Sequence, residues 1–398
     1  MTRVALDAPR GATGLRELPP LSLYLHLPWC IRKCPYCDFN SHELPELGPE
    51  LEQRYVDALV ADLEASLPLV WGRSVQTIFI GGGTPSLFSP RSIDALLAAV
   101  RARIRVDPQA EVTMEANPGT FEAERFKAFA DAGVNRLSIG VQSFDDALLA
   151  RIGRVHDAGQ ARRAVEVAAA HFASFNVDLM YALPGQTMDA LESDLRTALA
   201  FSPPHVSCYH LTLEPNTLFA ARPPELPDED LCAEMQVLVE SSLASAGLVR
   251  YEVSAYARAG HRSRHNLNYW QFGDYLGIGA GAHGKLSFHD RIVRHARLRH
   301  PRDYVERALA GNAIEQERVL GRSDLCFEFM LNALRLVEGV EASLFERRTG
   351  VSIAAVSRAM QREARRGLLD EDPRRIGATA LGLRFLNDLQ QGFLEDVR

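Results

Sequence analysis

Close to its start the chain reads Tyr24-Leu-His-Leu-Pro-Trp-Cys30-Ile-Arg-Lys-Cys34-Pro-Tyr-Cys37, and this segment guides the interpretation of the rest. The three cysteines have the spacing C-x3-C-x2-C and follow an apolar segment that predicts a strand. Three thiolates on one short loop can bind three irons of a cubane 4Fe–4S cluster and leave the fourth iron without a protein ligand. The spacing therefore predicts a cluster held by Cys30, Cys34 and Cys37.

A structural zinc site is the alternative for this loop. Zinc in such a site takes four protein ligands, so His26 or His42 would have to supply the fourth. We favour the cluster because the segments that follow fit a cluster and not zinc. Six cysteines in 398 residues are too few for a disulfide scaffold, and the other three are scattered through the chain.

Composition narrows the class of protein. The 398 residues carry 44 Lys and Arg against 51 Asp and Glu, a net charge of -7, which gives no electrostatic reason to expect nucleic acid as a partner. The longest apolar stretches, 95–100 and 167–170, are far shorter than a membrane span, and residues 1–20 contain no apolar core of a signal peptide. We therefore expect a globular cytoplasmic protein without a transmembrane segment.

The first half of the chain alternates short apolar runs with helical patterns. Helical periodicity is clear where Leu51, Tyr55, Leu59 and Leu63 recur every four residues. Strands are expected to be continuously apolar, as buried parallel strands are, at Ser22–Leu25, Val75–Ile80, Glu111–Glu115, Arg136–Gly140, Phe175–Met180 and Val206–Thr212. Six strand–helix units in series predict an α/β fold, a partial (β/α)6 barrel of the TIM type, with ligands at the C-terminal strand ends.

Four regions are expected along the chain. Residues 1–20 have no hydrophobic period and predict a flexible N-terminal arm. The partial barrel covers 21–217, a Pro-rich linker follows, and 218–320 mixes helix and strand patterns in an α+β accessory region. Helices followed by a short hairpin pattern predict a winged-helix-like domain over 321–398. Its arginines are interspersed with acidic residues, so we interpret them as a solvated face and not as a nucleic-acid surface.

Polar residues at the ends of the expected strands suggest a second ligand. Val75–Ile80 runs into Gly81-Gly82-Gly83-Thr84-Pro85, where glycines allow close backbone approach. Charged groups on apolar strands need a partner or a ligand. An arginine can bind a carboxylate through two hydrogen bonds, and carboxylates accept hydrogen bonds from an ammonium or from ribose hydroxyls. The residues concerned are Glu115, Gln142, Arg154 and Asp178.

Together, the cysteine loop and the glycine turn resemble the radical S-adenosylmethionine (SAM) superfamily, and the likeness to its coproporphyrinogen oxidase-like branch extends from about residue 21 over nearly the whole chain. The resemblance implies that the open iron binds the amino and carboxylate groups of SAM, and that an electron donor serves the cluster. It also implies a set of SAM contacts at Tyr24, Tyr36, Gly83, Thr84, Glu115, Gln142, Arg154 and Asp178.

Two functions are known within this branch, and three features separate them. The oxygen-independent coproporphyrinogen III oxidases extend the motif to C-x3-C-x2-C-x-C, whereas this chain has Phe39 at that position. The oxidases also carry a longer arm before the cysteines than the 29 residues found here. The segment His265-Asn-Leu-Asn-Tyr-Trp270 matches the HNxxYW signature of the heme chaperones of the HemW family.

The HNxxYW segment also makes physical sense for heme. Heme takes an axial ligand, often His, and aromatic neighbours bury its macrocycle; His265, Tyr269 and Trp270 supply both within six residues. Core packing is the alternative for such a cluster. The resemblance favours a chaperone that binds heme near His265 and transfers it to acceptor hemoproteins, membrane respiratory proteins among them. The alternatives are the oxidase and a winged-helix regulator that senses iron–sulfur status.

Overall fold

A computed structural model describes residues 14–120 and 123–395. Its strands are β1 Leu21–Leu27, β2 Trp29–Cys30, β3 His42–Glu43, β4 Val75–Gly82, β5 Val106–Ala116, β6 Arg136–Gln142, β7 Ser174–Tyr181, β8 His205–His210, β9 Val249–Arg250, β10 Ala255–Ala257, β11 Asp274–Ile278, β12 His283–Ser287, β13 Ile292–Arg297, β14 Ile314–Val319, β15 Val340–Glu341 and β16 Arg375–Ile376.

The helices surround these strands. They are α1 Pro49–Ser66, α2 Pro90–Arg103, α3 Ala123–Asp131, α4 Asp146–Arg151, α5 Ala158–His171, α6 Met188–Ala200, α7 Leu218–Ala221, α8 Glu229–Ser245, α9 Arg264–Trp270, α10 Pro301–Leu309, α11 Arg322–Ala333, α12 Ser343–Thr349, α13 Ser357–Arg365, α14 Ala380–Arg384 and α15 Leu386–Glu395. Short 3-10 turns cover Leu67–Leu69, Pro85–Leu87, Pro118–Thr120 and Ile353–Ala355.

One twelve-stranded sheet forms the centre of the described structure, in the order β14-β13-β12-β11-β1-β4-β5-β6-β7-β8-β10-β9. The six expected strands are β1 and β4 to β8, and each pairs with its successor in parallel. This confirms the predicted α/β fold with a partial barrel. A seventh parallel strand, β11, pairs with β1 and comes from the accessory region. The sequence analysis did not foresee this strand.

The expectation of continuously apolar strands was wrong, because each strand alternates. In β1, Leu21, Leu23, Leu25 and Leu27 are buried in the main apolar core, together with the inner faces of the helices. The intervening positions of the parallel strands point into the barrel, where they line a cavity with polar side chains: Glu115, Arg136, Ser138, Asn176, Asp178, His205 and Ser207. A partial barrel is wide enough to enclose a ligand, and a polar lumen explains the period of two.

The outer layer follows the predicted helical periodicity. On α1, Tyr55, Leu59 and Leu63 are almost fully buried in the main core. Burying an aromatic or leucine side chain stabilises the fold by roughly 1.5–3 kcal/mol. The helix begins at Pro49, a position where the missing N–H of proline has no cost. The buried face of α1 therefore packs in the same core as β1, the strand that leads directly into the cysteine loop.

The accessory region is continuous with the barrel. Its strands β9 and β10 extend one edge of the large sheet, and β11 to β14 extend the other. Helix α8 buries Met235, Val239 and Leu243 in the main core. The first 13 residues of the predicted arm lie outside the described residues. The described part of the arm packs on the structure, because Leu15 is buried and its N–H donates to the carbonyl of His289 at 3.2 Å.

The C-terminal region has an apolar core of its own, built around Phe329, Phe345, Ile376 and Phe393. The β15–β16 pair in this region is antiparallel, and the winged-helix-like arrangement stays a prediction. Phe272 belongs to the same core and joins the region to the barrel. The interspersed arginines form ion pairs with acidic neighbours. Within the described residues, no helix is both long and apolar enough to cross a membrane.

Candidate functional site

Backbone hydrogen bonds join the cysteine loop to the glycine turn after β4. The N–H of Gly83 donates to the carbonyl of Leu27 at 2.8 Å, and the N–H of Thr84 donates to that of Trp29 at 2.7 Å. A Cβ atom at Gly83 would lie 2.5 Å from the Trp29 carbonyl oxygen, so a side chain there would displace the loop. Gly83 was predicted to let the backbone approach a ligand. In the structure, glycine is needed there because the backbone next to Cys30 leaves no room for a side chain.

A cavity of about 600 Å³ opens at the C-terminal end of the barrel, a volume typical of ligand sites. Cys30, Cys34 and Cys37 all line it. Every predicted SAM contact except Tyr24 lines the same cavity, namely Tyr36, Gly83, Thr84, Glu115, Gln142, Arg154 and Asp178. Residues from four strands and three loops therefore meet where the fold places ligands.

The three sulfurs face the cavity from separate points of the loop. The thiol of Cys34 lies 3.6 Å from Nη1 of Arg154, and that of Cys37 lies 3.8 Å from the hydroxyl of Ser41. Burial raises the pKa of the Cys30 and Cys37 thiols. No three His, Cys, Asp or Glu side chains in the described part of the chain lie close enough to share a single metal ion. Three thiolates from one loop are the ligands that a polynuclear iron–sulfur cluster takes.

Arg154 connects the cysteine loop to β6. Its Nη2 donates to the carbonyl of Gly140 at 2.6 Å. Burial opposes its charge, but the neighbouring Tyr36 hydroxyl and Cys34 thiol raise the pKa of Arg154 above its usual range. At the end of the same strand, Gln142 has a φ of +69°, a conformation that non-glycine residues rarely adopt. Such strain is commonest where a side chain must point at a ligand.

Two carboxylates face each other across the lumen. Glu115 accepts the N–H of Gly82 at 3.0 Å, and burial raises the pKa of Glu115 to about 7. Asp178 accepts hydrogen bonds from Asn176 at 2.6 Å and from Ser138 at 3.0 Å, and burial raises its pKa as well. Each carboxylate retains acceptor capacity, so the pair can receive hydroxyl or ammonium donors of a ligand.

Tyr24 lies in a second cavity of about 660 Å³ beside the first. Its hydroxyl is 2.9 Å from Nδ1 of His26, whose Nε2 is bonded to the Asn40 carbonyl. Phe79 and Glu115 line both cavities and form part of the wall between them. The structure therefore places the predicted contact Tyr24 behind this wall and not among the residues around the cysteines.

His265 also faces the second cavity. Its Nδ1 is 3.1 Å from the hydroxyl of Thr77, and its ring stacks on Phe79 with a centroid distance of 4.8 Å. Burial, aided by the charge of Arg136, lowers the pKa of His265 to about 3, so the ring is neutral. A neutral imidazole with one nitrogen engaged presents the other as a metal ligand. Tyr269 packs edge-on against the same ring.

Helix α9, which carries the HNxxYW segment, contributes residues to both cavities. Ser263 caps it by accepting the N–H of Asn266, and Glu111 accepts the N–H of His265 at 3.0 Å. Asn266 lines both cavities, whereas Trp270 lines the first. The motif was predicted to surround one ligand, but its side chains are divided between two cavities.

The sequence analysis missed the floor of the first cavity. Arg136, Asn176 and His205 lie there on alternate strand positions, and Arg335 reaches it from the C-terminal region. The alternation of polar and apolar residues in β6 to β8 was the signal that could have revealed the first three. No local pattern indicates Arg335, because it follows α11 and only the tertiary fold brings it to the barrel.

Two family models match the sequence, and a solved structure matches the fold. The family model "Radical SAM superfamily" matches residues 24–198, and "HemN C-terminal domain" matches 320–385. The structure is similar to coproporphyrinogen III oxidase (HemN) from Escherichia coli, with a TM-score of 0.80, 96% of this chain and 91% of that chain covered. Sequence identity to that enzyme is 23%, so this likeness shows the fold and not the activity.

Two similar relatives are named heme chaperone HemW. The protein from Haemophilus influenzae is 47% identical over 386 residues, which covers 96% of this chain and 99% of the relative. The protein from Escherichia coli is also 47% identical, and the match covers 96% of this chain and 100% of the relative. These full-length matches confirm the resemblance predicted from the motifs. The chain belongs to the HemW family, on a radical SAM fold.

Proposed function

We propose that this protein is a heme chaperone: it binds heme and transfers it to acceptor hemoproteins, and it carries a 4Fe–4S cluster ligated by SAM. The convergence of Cys30, Cys34 and Cys37 with Arg154 and Glu115 on one cavity, in a member of the HemW family, carries the proposal. The oxidase is the alternative. Phe39, 59% exposed at the rim of this cavity, stands where the oxidase motif has another cysteine.

The residues around the cysteines fit the two cofactors. The three thiolates hold the cluster, and the bound cluster supplies an open iron and one electron for SAM. Arg154 donates toward the sulfur of Cys34, which stabilises negative charge at the cluster. Gly83 and Thr84 hold the loop, Tyr36 and Gln142 line the wall, and Glu115 and Asp178 accept the polar groups of SAM.

The second cavity fits the macrocycle of heme. His265, neutral and with Nδ1 engaged by Thr77, offers Nε2 as an axial ligand. Tyr24, Tyr269 and Tyr275 provide aromatic walls. Tyr24 stays a predicted SAM contact, next to Glu115, which lines both cavities. Heme then passes to acceptor hemoproteins, membrane respiratory proteins among them, and an electron donor serves the cluster.

Two assays on one anaerobic preparation test the function. With reductant and SAM, we expect no conversion of coproporphyrinogen, whereas formation of protoporphyrinogen would establish the oxidase. A heme titration followed by absorbance should saturate, and His265→Ala should weaken heme binding about tenfold or more. His171→Ala, at the exposed end of α5, is the matched control. Equal heme affinity and spectrum in the two variants would remove His265 from the heme site.

A further inference from the structure

Three hydrogen-bond donors on the floor of the first cavity have no acceptor. They are Nε of Arg136, Nε1 of Trp270 and Nε of Arg335, all buried and without a partner in the described residues. All three side chains line the same cavity. Buried donors without partners are uncommon in folded proteins. A fourth, Nε of Arg154, lies at the cysteine end of the cavity, whereas these three point to a ligand that accepts hydrogen bonds away from the cysteines.

Arg136 is the most buried of the three. It begins β6 and is 3% exposed, and its side chain makes no hydrogen bond or ion pair with the described residues. Its charge is felt by neighbouring groups, because it lowers the pKa of His265 and works against the raised pKa of Asp178. A guanidinium cannot lose its proton to relieve burial. Asp178 is near enough to respond to this charge, and an anionic ligand would give the guanidinium a direct partner inside the cavity.

Arg335 and Trp270 form a pair across the boundary between the barrel and the C-terminal region. The guanidinium carbon of Arg335 lies 4.2 Å from the centroid of the Trp270 ring. Nη2 of Arg335 donates to the carboxylate of Glu252 at 3.1 Å, which neutralises part of its charge. The stacking and the ion pair hold the guanidinium in place, while Nε of Arg335 stays available for a ligand.

We propose that Arg136, Trp270 and Arg335 form a carboxylate-binding site that holds a propionate of heme. Three donors meet here, two of them positively charged, and a carboxylate is the planar acceptor that guanidinium groups bind best. The inference rests on the proposed heme function. SAM also carries a carboxylate, but that group is assigned to the open iron at the cysteine end of the cavity.

Helix α9 sets the distance between the two parts of the proposed heme site. His265 and Trp270 are five residues apart, which in a helix is roughly 7.5 Å along the axis. This separation is of the order of the distance from a heme iron to its propionates. Asn266 lines both cavities between them. The proposal places the iron of heme at His265 and a propionate at the three donors, on the far side of Asn266.

A role for Arg335 would couple heme to the C-terminal region. The residue follows α11, whose buried face belongs to the C-terminal apolar core. A bound propionate would be shared between this region and Arg136 of the barrel. Heme occupancy should therefore strengthen the attachment of the C-terminal region to the barrel.

The test compares heme with its dimethyl ester, which keeps the iron and macrocycle but lacks both carboxylates. The full chain, with its cluster, is titrated with each porphyrin in the same detergent solution. The variants are Arg136→Gln, Arg335→Gln and Trp270→Phe, the last of which removes the indole N–H and keeps an aromatic ring. Arg302→Gln on α10, 82% exposed at its side chain, is the control.

We expect the unmodified protein to bind heme at least tenfold more tightly than the ester. Each arginine variant should lose about tenfold in heme affinity and almost none for the ester, with a smaller loss in Trp270→Phe and none in the control. Equal affinities of the unmodified protein for the two porphyrins would overturn this inference alone. Weakened SAM binding with unchanged heme binding would also overturn it. Failure of both porphyrins to bind would overturn the proposed heme function, and this inference with it.

Discussion

The two ends of the barrel lumen are built in different ways. At the cysteine end, backbone hydrogen bonds from Gly83 and Thr84 hold a loop whose sulfurs face the cavity. At the end near α9, side chains hold one another, as in the contacts of His265 with Thr77 and Phe79. The first end presents free ligand atoms on a fixed backbone. The second is a packed polar network that a ligand must join.

This difference predicts how each end responds to mutation. A site with a few ligand atoms on a rigid loop fails completely when those atoms are removed. A network of many side chains loses affinity in smaller steps, because each residue contributes part of the contact. The three predictions that follow test this contrast, from the largest expected effect to the smallest.

Replacing Cys30, Cys34 and Cys37 together by Ala should abolish the cluster. We expect loss of the brown absorbance and of bound iron after anaerobic reconstitution, because no other thiol lines the cavity in the described structure. Circular dichroism should remain that of the folded protein, since the three residues are only partly buried.

The control for this prediction removes the other three thiols. Cys208 and Cys326 are buried in apolar cores and Cys232 is partly buried on α8, so their replacement by Ala lowers stability but should leave the cluster intact. If the brown absorbance survived the first triple replacement and disappeared in the second, the cluster would be bound by these other thiols and not by the cysteine loop.

The second prediction concerns the backbone that positions those sulfurs. In Gly83→Ala the new Cβ meets the carbonyl of Trp29, so the cysteine loop has to move. We expect iron content to fall several-fold and unfolding free energy to fall by about 1–3 kcal/mol, as in other overpacked sites. Gly48→Ala is the control, because nothing lies within 4 Å of a Cβ there. Full iron content in both variants would show that the loop tolerates the shift.

The same contrast explains how far sequence alone could predict this site. Residues 30–37 and 81–85 are compact motifs, so the cysteine end could be found without coordinates, apart from the position of Tyr24. The floor of the cavity joins Arg136, Trp270 and Arg335 from three distant segments. Their proximity depends on how the C-terminal region packs on the barrel, and no local spacing encodes that packing.

The polar face of the parallel strands could have been predicted from the sequence. Leu-Ser-Leu-Tyr-Leu-His-Leu in β1 has a period of two, which indicates one apolar and one polar face. We expected continuously apolar strands because parallel strands are usually buried on both faces. In this partial barrel one face lines a polar lumen, so that assumption does not hold. The seventh strand, β11, could not be recognised either, since its neighbour β1 lies about 250 residues earlier in the chain.

The smallest effect is expected at the carboxylate that both cavities share. Burial raises the pKa of Glu115 from its ordinary value of 4.5 to about 7, so the native state binds this proton more tightly than the unfolded chain does. The resulting stabilisation is complete below about pH 4.5 and is lost as the pH rises through about 7. Glu115→Gln stays neutral throughout and can still accept the N–H of Gly82.

Unfolding by urea at two pH values measures this difference on protein without bound cofactors. At pH 5 the variant and the unmodified chain should be nearly equal in unfolding free energy. At pH 8 the variant should be more stable by about 2 kcal/mol, a value reduced from the full pKa shift because Glu115 is not completely buried. Glu166→Gln on the exposed face of α5 should change nothing at either pH. If Glu115→Gln had the same effect at both pH values, the carboxylate would be ionised in the native lumen at pH 5. Glu115 would then present a negative charge to both cavities at pH 5, contrary to the raised pKa.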